Sequence, residues 1–99
     1  MAARGDDRPS RQVRKTARFA EETRRLGERV RALRQEHGWT LEQAAEAMQL
    51  DLKHLQKVEA GLVNVTLVTI VRIADGLGIT TQELFGEMKP ARRATRTRN

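Results

Sequence analysis

The chain has 99 residues, a formal net charge of +6, no cysteine and only three aromatic residues, Phe19, Trp39 and Phe85. That length allows one small domain, and the lack of cysteine excludes a disulfide framework or a thiolate metal site and fits a reducing cytoplasm. No apolar run approaches the roughly 20 residues that cross a bilayer, and the arginine-bearing N-terminus lacks the apolar segment of a secretory signal.

The first stretch, residues 1–18, carries six basic side chains against Asp6 and Asp7, a balance of +4. Such a segment repels itself and has little to bury, so it is read as a basic N-terminal arm, flexible or partly helical. Arg14, Lys15 and Arg18 are its candidate phosphate contacts. A solvated tail without a partner is the competing reading.

Residues 19–85 hold eight basic and ten acidic side chains and read as a mildly acidic all-α domain of five helices. The first helix is predicted from about Ala20, or earlier, to His37. Leu26, Val30 and Leu33 form its stripe at i, i+4 and i+7, and Glu21–Arg25 and Arg24–Glu28 form outward pairs. Gly38 stops it. Thr40 with Gln43 makes a capping box for the second helix, and Trp39 ahead of the cap is placed to enter the core.

From Leu41 to Ala60 two short amphipathic helices meet at a tight corner. Ala44 and Met48 share one face of the first, Leu55 and Val58 one face of the second, with Leu50 between them and small Ala45 at the crossing. Asp51 is expected to cap the third helix, and Gly61 follows it. After a loop, Leu62 to Val65, Thr66 caps a fourth helix whose stripe reads Leu67, Ile70, Val71, Ala74 and Leu77. Gly78 ends that helix. Thr80 with Glu83 opens a short fifth helix ending near Phe85. Residues 86–99 form a basic tail, five basic side chains against Glu87, with Arg92 and Arg93 as candidate phosphate contacts.

A two-helix unit of this size must sit on further helices, which leaves one side of the third helix outward. That side is a polar ridge of Leu52, Lys53, His54, Gln56 and Lys57, of a width that fits the DNA major groove. Enzymatic readings fare badly. Two histidines, His37 and His54, without cysteine make no convincing metal cluster, and the single serine, Ser10, has no base in view. There is no phosphate-cradling glycine loop, and three dispersed aromatics give no stacking platform for single strands. Neither a metal nor a cofactor is expected.

From Leu26 to Phe85 the chain resembles the Cro/CI-type, or XRE-type, helix-turn-helix proteins of phages and bacteria. The segments that carry the likeness are Leu26–Arg34, Gly38-Trp39-Thr40, Val58-Glu59-Ala60-Gly61, Leu77-Gly78-Ile79 and Glu83-Leu84-Phe85, at matching spacing over about 60 of the 99 residues. Asn64-Val65-Thr66-Leu67 also resembles the controller proteins of restriction–modification systems. The resemblance implies a lambda-repressor-like fold and an ion pair between Arg34 and Glu59 that fixes the third helix against the first. It implies base contacts from Leu52, Lys53 and His54, with Gln56 and Lys57 further along. Thr40, Leu41 and Gln43 would approach a phosphate at the start of the second helix, and Asn64 would touch the backbone beyond the third.

The chain also departs from that pattern. Gln49 stands at the corner where glycine is usual, and Leu41 and Leu52 replace common polar contacts. The reading is therefore a homodimeric transcriptional regulator that binds a palindromic operator on double-stranded DNA, with Val68 and Leu84 as the dimer face. It would be a cytoplasmic protein of bacterial or phage origin, on the nucleoid when bound, with no membrane partner. The alternative is a protein-interaction adaptor, or an antitoxin-like partner, that presents Leu41 and Leu52 to another protein.

Overall fold

The Thr16 hydroxyl accepts a hydrogen bond from the Phe19 amide at 3.1 Å and starts the first helix, α1 (Ala17–Glu36), in the computed structural model, which describes residues 16–86. Four more helices follow: α2 (Leu41–Met48), α3 (Leu52–Glu59), α4 (Leu67–Leu77) and α5 (Thr81–Leu84). The described residues contain no strand, and no described helix is long and apolar enough to cross a membrane. Both predicted capping boxes form. Thr40 accepts from the Gln43 amide at 3.1 Å while the Gln43 side chain accepts from the Thr40 amide at 2.8 Å, and Thr80 and Glu83 do the same at 3.0 and 2.9 Å.

The first four helices end in one way. An amide two or three places past the helix reaches back five residues: Trp39 to the Arg34 carbonyl at 3.2 Å, Leu50 to Ala45 at 2.9 Å, Leu62 to Lys57 at 2.9 Å and Ile79 to Ala74 at 3.0 Å. This bond closes only if the residue before it is left-handed. Gly38, Gly61 and Gly78 supply that conformation at φ of 73°, 73° and 76°. At the α2–α3 corner Gln49 does so at φ 57°, the one non-glycine with positive φ among the described residues, at a cost of about 1–2 kcal/mol. Trp39, Leu50 and Ile79 then fold onto the core, whereas Leu62 stays 74% exposed.

The core is built from Leu26 and Val30 of α1, Ala44, Ala45 and Met48 of α2, Leu55 and Val58 of α3, Ile73, Ala74 and Leu77 of α4, and Leu84 of α5. Two of its crossings each turn on a glycine. A Cβ at Gly27 would lie 2.5 Å from the Val58 carbonyl oxygen and 2.6 Å from that of Glu59, so α1 lies backbone to backbone on the end of α3. A Cβ at Gly76 would lie 2.8 Å from the Ala47 oxygen and the Met48 Cα, which seats α4 against the end of α2.

Four expectations need correction. The stripe of α4 is rotated: Leu67 and Val71 are exposed, while Thr69 and Ile73 point inward with Ala74 and Leu77. Thr69 enters the core because its hydroxyl lies 3.2 Å from that of Thr66, which satisfies it. Leu84 does not face outward but is fully buried, and Phe85 takes the exposed place beside it. Asp51 stands at the N-cap of α3 without a capping bond from its side chain. Glu21 pairs with Arg24, not Arg25; Arg24 bridges Glu21 and Glu28, each at 2.6 Å.

Candidate nucleic-acid interface

Helix α3 presents a divided surface. Leu55 and Val58 are sunk into the core, and the opposite side carries Lys53, Gln56 and Lys57, all exposed. Residues 53, 56 and 57 are spaced i, i+3, i+4, so their side chains leave the helix from one face. Leu52 and His54 flank that face and are half-buried. Three hydrogen-bond donors therefore stand together on the outer side of an eight-residue rod. Its width suits the floor of a major groove.

The rod is held at both ends. At its start, the Leu50–Ala45 bond fixes the corner that aims it. At its end, the Arg34 guanidinium donates to both Glu59 oxygens, from Nε at 2.7 Å and Nη2 at 3.1 Å, while Nη1 donates to the Trp39 carbonyl at 2.9 Å. The two side chains are only 12% and 9% exposed, so this is a buried bidentate pair. One side chain thus locks α1, the α1–α2 connection and α3 together. On the same connection His37 stacks on Trp39, with ring centroids 4.2 Å apart and planes 19° from parallel.

The remaining predicted residues are distributed as follows. Thr40 and Gln43 are exposed at the start of α2, their side chains engaged in the cap, and Leu41 is half-buried against the core. Asn64 is exposed in the loop after α3, and Val68 is exposed on α4. Leu84 lies beneath the surface it was expected to form. Arg18 is exposed in the first turn of α1; Arg14, Lys15, Arg92 and Arg93 lie outside the described residues.

Two arginines carry roles that no spacing announced. Arg29 donates to the carbonyls of Leu84 at 3.1 Å and Glu83 at 2.8 Å, tying α5 to α1. Arg72 of α4 donates to the Gln49 carbonyl at 3.4 Å. Backbone carbonyls leave no trace in a side-chain pattern, so neither contact was visible in the sequence.

This geometry has known counterparts. The family described as a helix-turn-helix domain matches residues 25–85. The chain belongs to that family. The Cro/CI-type likeness read from its residues stands, and the fold is that of the family. This helix-turn-helix chain is 40% identical over 61 residues to the HTH-type transcriptional regulator DdrOP3 of Deinococcus deserti, a match spanning 62% of this chain but only 47% of the relative. It is 39% identical over 67 residues to the control protein C.MunI of Mycoplasma sp., covering 66% of this chain and 89% of that one. Among solved structures it is similar to the restriction-modification controller protein C.AhdI from Aeromonas hydrophila, with a TM-score of 0.64 and 37% identity over 66% of this chain and 98% of the other. A hypothetical transcription factor, NHTF, from Neisseria aligns with a TM-score of 0.66 at 25% identity, covering 73% and 83%.

Proposed function

We propose that this protein binds double-stranded DNA in a sequence-specific manner and regulates transcription as a homodimer on a palindromic operator. One observation carries the reading: α3 buries Leu55 and Val58 and turns Lys53, Gln56 and Lys57 together toward solvent, on a rod braced by Arg34 and Glu59. Lys53 would donate to guanine O6 and N7, Gln56 would grip adenine, and Lys57 would take a base or a phosphate. His54 and Leu52, at the flanks, would meet base edges or a thymine methyl. Thr40, Leu41 and Gln43 at the start of α2 and Asn64 after α3 would approach the phosphates on either side.

The dimer face is redrawn from the one first expected. Leu67, Val68 and Val71 leave an apolar strip on α4, 72%, 61% and 48% exposed, and buried Leu84 contributes nothing to it. A second copy on this strip would set two recognition helices about 34 Å apart, one turn of DNA. The family and the regulators it resembles support this reading over an enzymatic one. The adaptor reading draws less support, because Leu41 is half-buried against the core and Leu52 is half-buried as well.

Selection of bound duplexes from a random pool tests the function, and recovered palindromes are the expected result. Retention of no sequence above background would overturn it. Titration of the recovered site across salt, with the full chain and a chain trimmed to 16–86, tests the basic ends. Trimming is expected to flatten the dependence of log K on log salt, each lost phosphate contact reducing the slope by about 0.9.

A further inference from the structure

The corner between α2 and α3 sets the direction of the recognition helix, and it is closed under strain. Gln49 holds a left-handed conformation that glycine takes at three equivalent places in this chain. A side chain there pushes the corner toward other backbone geometries. The Leu50–Ala45 bond that defines the corner at 2.9 Å must hold against that push.

Helix α4 meets this corner directly. Gly76 brings its backbone within a Cβ's reach of Ala47 and Met48, the last turn of α2. One turn earlier on α4, the Arg72 guanidinium lies 3.4 Å from the Gln49 carbonyl oxygen. The carbonyl belongs to the strained residue itself, so the contact acts on the peptide whose orientation is at stake. Arg72 is exposed and has no acid pairing with it among the described ion pairs, so this carbonyl is its described hydrogen-bond acceptor. The same helix carries Val68 and Val71, four and one residues before it, on its exposed apolar strip.

We infer that Arg72 is a positioning residue for recognition: it latches the glycine-free corner from α4 and so fixes the angle at which α3 meets DNA. The inference rests on the DNA-binding reading for its consequence, but the latch itself is a property of the free chain. It also places the latch and the proposed dimer strip on one helix, α4, so that covering the strip would restrain the latch.

The test is a cycle of Arg72→Ala, Gln49→Gly and the double variant in the full chain. Amide hydrogen exchange at Leu50 is read relative to Val58 in the core, so that a global loss of stability cancels. Arg72→Ala is expected to speed exchange at Leu50 about three- to tenfold, the size of one ordinary hydrogen bond. In the Gln49→Gly background, where the corner is relaxed, the same replacement should have less than half that effect, and Arg72→Lys should restore protection in part. Unchanged exchange, or an equal acceleration in both backgrounds, would overturn the latch. On DNA, the ratio of selected-site to random-duplex affinity should fall by a similar factor with random-duplex affinity unmoved; a parallel fall of both would make Arg72 a phosphate contact and overturn its positioning role. If no site is ever selected while the exchange cycle behaves as stated, the latch stands and the DNA reading fails.

Discussion

A single guanidinium, that of Arg34, serves acceptors on two other parts of the chain, the Glu59 carboxylate and the Trp39 carbonyl. Removing it leaves a carboxylate at 9% exposure with no counter-charge and a carbonyl with one donor fewer. Arg34→Ala is therefore expected to lose about 3–5 kcal/mol of stability, measured by urea unfolding. Arg34→Lys should fall between, because an ammonium cannot serve three acceptors in one plane. Lys53 is a different case, since it is exposed and takes part in none of the ion pairs among the described residues. Lys53→Ala should leave unfolding unchanged and cost about 1–3 kcal/mol of binding at one base pair of the selected site, read by competition with single-position variants. The sequence made Lys53, Gln56 and Lys57 legible as an outward face because Leu55 and Val58 fix which side is inward. It made Arg34 and Glu59 legible only through family resemblance, since no helical period links residues 25 apart.

Helix ends were legible where a side chain makes the cap. Thr40 with Gln43, Thr66, and Thr80 with Glu83 each mark a start that the structure repeats. The start of α1 was less visible, because its cap, Thr16, sits inside the basic segment that reads as an arm. Helix α4 was misread in rotation for a physical reason. Its sequence is apolar nearly all round, so period alone does not choose a face, and the Thr66 hydroxyl makes room for Thr69 inside. The four-residue α5 gave no period by which to orient Leu84. Gly27 and Gly76 were the unread signals, as glycines within a helix mark close backbone approach. On α1, the hydrogen bond from Arg24 holds the Glu21 carboxyl below the ordinary glutamate range, against the opposing effect of desolvation. A lowered folded value means that the pair's support is present above that ordinary range and lost as pH falls through the lowered value. The first turns of α1 should accordingly fray only once the pH falls below the ordinary glutamate range, while the core persists. Carboxyl shifts of Glu21, followed by NMR from neutral pH downward, check this; a midpoint at the ordinary value would refute it.

For the molecule as a whole, three of the five exposed large hydrophobics among the described residues, Leu67, Val68 and Val71, share one helix. A chain of this size gains from covering such a strip with a second copy. Val68→Glu places a charge at its centre without touching the core. It is expected to shift sedimentation to the monomer and to weaken binding to a full palindrome on the order of 100-fold, while half-site binding is unchanged. Persistence of a dimer would move the two-fold elsewhere. The charge asymmetry that suggested basic ends was readable from composition alone, whereas the location of the strip needed the true rotation of α4.

Trp39 is the only tryptophan in the chain, and it lies between the end of α1 and the cap of α2 with the His37 ring stacked 4.2 Å away. An indole so placed is an intrinsic fluorophore with its quencher built in. Its emission should brighten when the His37 ring is drawn away, without any dye or tag. Because no second indole contributes background, the proposed docking of a duplex beside Thr40 would become an optical event that can be followed in real time, at concentrations where gels are blind to fast dissociation.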